Sequence, residues 1–164
     1  MSAYITMLTP MTERESLVDA LVDVGFAREH IELHTSAVQL EGIGGGARAQ
    51  TGNVIIRRQH VGSASNDIGF FETPTGYEVH ISDFDQSRYG RAWLAELHAR
   101  YTARWEQKRA RLAAEERRRV EEARRQLVER QREAVYARAK KLGYQIKESR
   151  AGETVQLVLV RRTY

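Results

Sequence analysis

The feature that most constrains the fold is the segment of residues 91–142, which lies between Gly90 and Gly143 and contains no Gly, Pro, Asn, Asp or Ser. Strong helix formers dominate it. Because nothing inside it ends a helix, it predicts one continuous helix of about 50 residues, or about 75–80 Å at 1.5 Å per residue. A body of this size cannot cover such a helix, so we expect part of it to project or to meet a partner. The alternative is a helical hairpin that bends near residues 115–119.

The long segment changes character along its length. Its first part carries large apolar side chains, among them Trp93, Leu97 and Tyr101, at three- and four-residue steps that predict a face packed on a core. Its middle offers Leu112 and interleaved Glu and Arg, which predict a solvated helix with weak pairs between neighbouring turns. We therefore expect a single α+β domain over residues 1–164, with residues 103–130 as a helical arm extension within it.

Charge is distributed unevenly along the chain. Residues 100–141 hold 15 Arg or Lys against 7 Asp or Glu, whereas the remainder holds 11 against 15. A basic helix attracts acidic partners. We therefore predict a non-enzymatic binding or adaptor protein that presents this helix to a protein partner, and the alternative is a nucleic-acid-binding protein that uses the same helix. The candidate partner-binding residues are Arg100, Arg104, Arg109, Leu112, Arg117, Arg118, Arg119 and Arg124.

Aromatic residues and arginines alternate at the start of the long helix. Trp93, Tyr101 and Trp105 lie among Arg91, Arg100 and Arg104. Aromatic rings between arginines can stack on bases while the guanidinium groups neutralise phosphates. The competing interpretation is that the rings form the buried stripe and the arginines form its solvated edge.

The segments before the long helix predict strands and one short helix. Tyr4–Leu8 is a candidate strand, and Thr12 with Glu15 has the spacing of a capping box before a helical stripe that ends at Gly25. Residues 53–58 predict a strand, and residues 67–71 and 77–82 predict a hairpin around the turn at 73–76. The long helix is expected to take its cap from Asp85 or Ser87.

The segments after Gly143 predict a second hairpin, with strands at 144–149 and 154–162. The second of these strands is apolar on both faces, which is typical of a central strand. The predicted fold is therefore α+β: an antiparallel sheet packed on helices, with one very long charged helix as a projecting arm. The expected core residues are Leu17, Leu21, Ile56, Phe70, Val79, Trp93, Leu97, Leu157 and Leu159.

Motifs for catalysis, metals and phosphates are weak. Cysteine is absent, and His30 and His34 lack the spacing of a His-Glu-x-x-His metalloprotease site. His80 with Asp83 and Asp85 is a loose cluster whose acids more simply belong to a helix start. The glycines of residues 42–52 are followed by no Gly-Lys-Ser/Thr, so they predict a connecting loop. We expect no enzyme activity, no cofactor and no metal.

Asp67 and Gly69 form a further candidate site. A carboxylate at the start of an apolar strand often bonds the local backbone. The alternative is a groove beside Gly69, where a partner backbone approaches closely.

The order of elements and several short motifs resemble a known family. The motifs are Met1-Ser2 before the first strand, Asp67-Ile68-Gly69-Phe70, Gly76-Tyr77-Glu78-Val79 with Asp83, and Leu142-Gly143-Tyr144 before residues 157–161. They are similar to the family called hypothetical chloroplast reading frame thirty-five, a plastid, cyanobacterial and bacterial domain of unknown function. The resemblance implies a fold and no established activity. Its members often accompany AAA-type ATPases, so it implies an accessory role, and the stretch around residues 103–129 looks inserted.

Localisation follows from two missing signals. Residues 1–10 lack a basic leader with a long apolar run, and the longest apolar stretches have the length of strands. We therefore expect a soluble cytoplasmic protein.

Overall fold

The computed structural model describes residues 3–43, 50–62, 64–151 and 154–161, with the backbone alone at 150, 151, 154, 155 and 161. Two compact units divide the chain: unit 1, Met1–Ala110, and unit 2, Arg111–Tyr164. The glycines at 44–46 of the expected connecting loop, and the end of the last strand at 162, lie outside the described residues.

Unit 1 contains a five-stranded antiparallel sheet. Its strands are β1 (Tyr4–Leu8), β2 (Ile31–Gln39), β3 (Thr51–Ile56), β4 (Ile68–Thr73) and β5 (Gly76–Ser82), in the spatial order β1-β5-β4-β3-β2. The helices are α1 (Arg14–Asp23), α2 (Arg58–Val61), α3 (Gln86–Tyr89) and the first part of α4 (Arg91–Lys141), with 3-10 turns at Arg28–His30 and Asp83–Asp85.

One face of the sheet forms the core of unit 1. The register aligns Leu33, Val54, Phe70, Val79 and Met7 in one row across all five strands. Side chains from α1 and α4, including Leu17, Leu21, Leu97 and Tyr101, pack in the same cluster. Of the expected core, Leu17, Leu21, Ile56, Phe70, Val79 and Leu97 are fully buried, and Trp93 packs partly buried against them.

The start of α1 differs from the predicted capping box. The Glu13 carboxylate, and not Thr12 with Glu15, caps the helix by accepting from the N–H groups of Glu15 (3.3 Å) and Ser16 (2.7 Å). The N–H groups of Thr12 and Glu13 instead donate to the Tyr101 hydroxyl, each at 3.0 Å. Tyr101, distant in sequence, thus satisfies the Thr12 N–H that the Glu15 side chain would have bonded in a capping box.

Two other boundaries also depart from the expectations. β3 ends at Ile56, because Arg57 leads into α2 and the Arg58 N–H donates to the Asp67 side chain. Neither Asp85 nor Ser87 caps the long helix: α3 comes first, and Gly90 separates it from α4. A Cβ at Gly90 would lie 2.2 Å from the Gln86 carbonyl oxygen, so this break requires glycine.

The turn between β4 and β5 is confirmed at Pro74-Thr75, between Thr73 and Gly76. Gly76 has φ +147°, and a Cβ there would lie 2.0 Å from the Thr9 carbonyl oxygen. Only glycine fits this turn, for both reasons.

The long helix is confirmed as one continuous element: α4 runs over 51 residues, so the alternative hairpin near residues 115–119 does not form. It ends where Gly143 takes φ +75°. Helix and antiparallel sheet together confirm the α+β class.

Unit 2 contains the rest of α4 and a separate two-stranded sheet, β6 (Tyr144–Ala151) paired with β7 (Thr154–Arg161). The prediction that β7 is a central core strand is wrong. Val158 and Leu159 are 51% and 53% exposed, and Leu157 is only half-buried. An apolar pattern shows that a strand is able to be buried, but burial also requires neighbouring elements. In the described part of unit 2, no strand other than β6 lies beside β7.

Candidate functional site

The candidate partner-binding residues fall into two environments, and those nearest the sheet are already engaged. Arg104 donates two hydrogen bonds to the Asp23 carboxylate, one from Nε to Oδ2 at 2.7 Å and one from a terminal nitrogen to Oδ1 at 2.6 Å. These bonds hold the pKa of the Asp23 carboxyl below its usual range. Arg100 pairs with Glu96 one turn away at 3.5 Å. Arg104 is thus already paired within unit 1.

The aromatic residues beside these arginines belong to the core of unit 1. Tyr101 is 4% exposed, and Trp93 and Trp105 pack partly buried against the core cluster. Stacking of bases on the ring of Tyr101 is therefore excluded, and the interpretation as a buried stripe is confirmed.

The remaining candidates lie on an open stretch of α4. Arg109, Arg117, Arg118, Arg119 and Arg124 are all exposed. Leu112 is 49% exposed, and the predicted pair of Arg119 with Glu116 forms at 3.6 Å. No ion pair with a described residue occupies Arg109, Arg118 or Arg124, so their guanidinium groups are open to a partner.

Exposed apolar side chains concentrate in unit 2. Eleven of the sixteen large apolar side chains that are exposed among the described residues lie there, although unit 2 holds only about a third of the chain. We call these eleven the unit 2 apolar surface: Leu112, Val120, Leu127, Val128, Val135, Tyr136, Leu142, Tyr144, Val158, Leu159 and Val160. Large exposed apolar patches are typical of interaction sites.

Helix and hairpin of unit 2 are joined by a small polar cluster. Arg132 pairs with Glu148 of β6 and with Glu129 of its own helix, and its guanidinium lies 5.8 Å from the centre of the Tyr136 ring. The hydrogen bond between Tyr136 and Glu148, with burial, raises the pKa of the Tyr136 hydroxyl. This cluster fixes β6 on α4 and leaves Val158, Leu159 and Val160 of β7 exposed.

Asp67 is the centre of a buried polar network in unit 1. Its side chain is fully buried and accepts from the Glu41 N–H (2.8 Å), the Arg58 N–H (2.7 Å) and the Arg57 guanidinium (2.9 Å). Arg57 also pairs with Glu32, and the hydrogen bond to Glu32, together with that to Asp67, raises the pKa of Arg57. Three donors on one carboxylate offset its loss of water, so Asp67 ties the loops before β4 together.

The space beside Gly69 is occupied. A Cβ at this position would lie 2.5 Å from Cδ1 of Leu40, which is itself buried. Leu40 therefore fills the place that a partner backbone would need in the groove suggested by Asp67 and Gly69.

The histidines of unit 1 serve local contacts. His80 is 4% exposed, its Nδ1 lies 3.0 Å from the Thr6 hydroxyl, and burial lowers its pKa. The ring of His30 stacks on His60 with centroids 3.6 Å apart, while His34 pairs with Glu32. Across the described residues, no three His, Cys, Asp or Glu side chains gather in a way that could hold a metal ion.

The buried network and the unit 2 apolar surface were only partly accessible to sequence reasoning. Arg57 and Glu32 gave no signal, because they meet across two strands whose pairing local patterns do not reveal. The apolar residues of β7 did give a signal, which pointed to a core.

Comparisons with known proteins leave the chain without a match: no family model, curated protein or solved structure is similar to it. The resemblance to the chloroplast family stays a prediction. In the described residues, none of the helices combines the length and the apolarity that a membrane crossing requires.

Proposed function

We propose that this chain is a non-enzymatic binding protein that docks a protein partner on the unit 2 apolar surface. The observation that supports the proposal is the concentration of exposed apolar side chains in unit 2. An isolated two-stranded sheet is only marginally stable in water. A partner that covers Val158, Leu159 and the apolar side chains of α4 would bury what unit 2 leaves in water.

The charge of unit 2 defines the partner further. Residues 111–164 hold 15 Arg or Lys against 8 Asp or Glu, whereas residues 1–110 hold 11 against 14. A surface that combines positive charge with exposed apolar side chains suits a partner face that combines acidic and apolar side chains. An AAA-type ATPase is the partner class that the family resemblance implies, and the proposal includes it on that ground alone.

Nucleic acid is the second candidate partner, and the unpaired guanidinium groups favour it. Arg109, Arg118 and Arg124 make no ion pair with any described residue. However, Arg109 and Arg118 lie nine residues apart, which places them on opposite sides of a helix with about 3.6 residues per turn. A nucleic-acid strand needs cations along one track, so this arrangement supports a protein partner better.

A pull-down from native lysate with matched variants tests the proposal. Val120→Gln combined with Leu127→Gln makes two exposed positions of unit 2 polar, and Val22→Gln does the same at an exposed position of α1. We expect wild type and Val22→Gln to recover the same partner and the double variant to recover about tenfold less, because two apolar side chains no longer pack against the partner. Recovery should persist after nuclease treatment.

Nucleic-acid binding, the second candidate function, predicts different results. Nuclease should then abolish recovery, and binding of the purified chain to DNA or RNA should weaken linearly with the logarithm of salt concentration. Replacing Arg117, Arg118 and Arg119 with Gln should flatten that dependence by about one unit of slope for each phosphate that the variant no longer neutralises. Equal recovery by the double variant and by wild type would contradict the protein-partner proposal.

A further inference from the structure

The first strand of unit 1 has an open edge. β1 pairs with β5 alone among the described strands, so one side of β1 faces no other strand. Two hydrogen bonds fix which backbone groups face outward: Asp83 N–H to the Ala3 carbonyl and Thr9 N–H to the Tyr77 carbonyl, both 2.9 Å. Since antiparallel pairs alternate, residues 3, 5, 7 and 9 bond to β5, and the N–H and C=O groups of Tyr4, Thr6 and Leu8 point away from it.

The two edges of the sheet are built differently. β2, at the opposite edge, carries the charged Glu32 and an irregular register between Leu33 and Val38, two devices that discourage further pairing. β1 reads Tyr-Ile-Thr-Met-Leu, has no charge, and keeps a regular register over five pairs. Leu8, its last residue, is 64% exposed, and Phe84, in the turn that follows β5, is 63% exposed. β1 therefore lacks the protection that β2 has.

A cavity of about 370 Å³ opens beside this edge. Ile5, Met7 and Ile81 line its floor, and Gln86, Tyr89 and Arg91 line its helical side. Thr6 lines it as well, although its side chain points to the other face of the sheet and bonds His80, so the cavity reaches the strand edge itself. We call this cavity the β1 edge cleft.

The groups at the mouth of the cleft are free. Gln86 and Arg91 are exposed, and their side chains make no hydrogen bond or ion pair with a described residue. Arg88, by contrast, donates to the Val61 carbonyl at 3.2 Å and lies over the Tyr89 ring. The cleft thus combines an apolar floor, an open row of backbone donors and acceptors, and one unpaired guanidinium group.

We propose that unit 1 binds an extended peptide of another protein along β1, as a sixth strand of its sheet, with an apolar side chain in the β1 edge cleft and a carboxylate on Arg91. Peptides bind sheet edges through main-chain hydrogen bonds, and pockets for alternate side chains give specificity. A peptide residue bonded to Thr6 directs its side chain away from the cleft. Its two neighbours, opposite Ile5 and Met7, direct theirs into the cleft.

The free guanidinium group of Arg91 favours an acidic peptide over a second copy of the chain. The segment that a second copy would present, β1 itself, has no carboxylate for Arg91. A peptide with Asp or Glu two positions from its apolar residue directs both side chains towards the cleft and supplies a carboxylate, which Arg binds through two parallel hydrogen bonds.

Selection of peptides and a pair of variants at Thr6 test the proposal. Random seven-residue peptides displayed on phage are selected on the full chain, and recovered peptides are synthesised with blocked ends for fluorescence anisotropy. We expect an apolar residue and, two positions away on the same face of the peptide strand, an Asp or Glu. Thr6→Pro should weaken binding about tenfold or more, because it removes an outward N–H without removing a bond to β5.

Thr6→Val is the matched control, because it keeps the outward N–H and loses only the hydroxyl group that contacts His80. It should bind as wild type does. Arg91→Gln should weaken only the peptides that carry a carboxylate, by severalfold, whereas Arg100→Gln on the same helix should leave them unchanged. Circular dichroism confirms that each variant is folded.

Three results would overturn the proposal: selection that recovers no peptide, peptides that bind Thr6→Pro as tightly as wild type, or a wild-type dimer that Thr6→Pro converts to a monomer. The last result, measured by analytical ultracentrifugation, would assign the edge to a second copy. None of the three bears on the unit 2 apolar surface.

Discussion

Units 1 and 2 are built from the same kinds of element, antiparallel strands and a stretch of α4, yet they treat apolar side chains in opposite ways. In unit 1 the sheet has five strands, and helices cover one face, so Phe70 and Val79 are fully buried. In unit 2 a sheet of two strands leaves Val158 and Leu159 half exposed. The same apolar pattern therefore lies in a core in unit 1 and stays exposed in the described part of unit 2.

The ion pairs of the two units also differ. Unit 1 pairs charges that are distant in sequence, as Arg104 with Asp23 and Lys108 with Glu13 show. Burial alone would raise the pKa of Glu13, but the hydrogen bonds from Lys108 and Ser16 hold it below the ordinary value. The ion pairs described on the unit 2 stretch of α4 join neighbouring turns, apart from Arg132 with Glu148, and such exposed pairs contribute little.

The largest expected contrast between the units comes from truncating one large apolar side chain in each. Phe70→Ala should lower the free energy of unfolding by about 3–5 kcal/mol, because it opens a cavity in the core. Leu127→Ala should change it by less than about 0.5 kcal/mol, because the site is 57% exposed and Ala favours helix. Both tryptophans lie in unit 1, so denaturant unfolding followed by tryptophan fluorescence reports on that unit, and circular dichroism reports on both units. If Leu127→Ala lowered the free energy of unfolding as much as Phe70→Ala does, Leu127 would be buried in a core, which would contradict the contrast between the two units.

A smaller contrast is expected from the ion pairs. Arg57→Leu leaves the Asp67 carboxylate buried without its cation, and losing one partner of a buried pair costs roughly 3–5 kcal/mol. Because Arg57 is partly exposed and two backbone N–H groups still bond Asp67, we expect a loss of about 2–3 kcal/mol. Arg119→Leu, which removes an exposed pair of unit 2, should cost almost nothing. Equal losses in urea titrations of the two variants would show that the buried network does not stabilise unit 1.

These contrasts also explain how far the sequence could predict the fold. α4, β1 and the β4–β5 hairpin were predictable because their signals are local: uninterrupted helix formers, alternating side chains, and a Pro and Gly at the turn. The failure of the capping box at Thr12 was not, because the Thr12 N–H donates to the Tyr101 hydroxyl, 89 residues away. The end of β3 was missed for a similar reason, since the Asp67 side chain bonds the backbone of Arg58.

The sites were harder to predict than the fold. Exposure of Leu112 and of arginines 117–119 followed from the charge pattern of the helix. The engagement of Arg104 did not, since Asp23 lies 81 residues earlier. The β1 edge cleft joins β1 to residues 81–91, and the only sequence signal for it was a first strand without charge.

The smallest expected effect is a pH dependence confined to unit 1, which holds all five histidines. Burial lowers the pKa of His80 below its ordinary 6.5, while Glu78 opposes the shift. The unfolded chain therefore binds a proton first as pH falls below about 6.5, and stability declines from there down to the folded pKa. The slope for one proton cannot exceed about 1.4 kcal/mol per pH unit.

Urea unfolding between pH 7 and pH 5, with tryptophan fluorescence as the signal, measures this slope. His80→Asn should reduce it, and His98→Asn, at an exposed position of α4, is the matched control. An unchanged slope in His80→Asn would show that His80 does not contribute.

The order of strands in unit 1 also sets an order of events during synthesis. β2, β3, β4 and β5 pair with their neighbours in sequence, but β1 must wait for β5, since Thr6 meets His80 across 74 residues. A ribosome adds about 5–20 residues per second, so this interval lasts roughly 4–15 s. During that interval the uncharged, strand-forming β1 has no neighbouring strand to pair with, so its backbone groups must be kept from pairing with other chains.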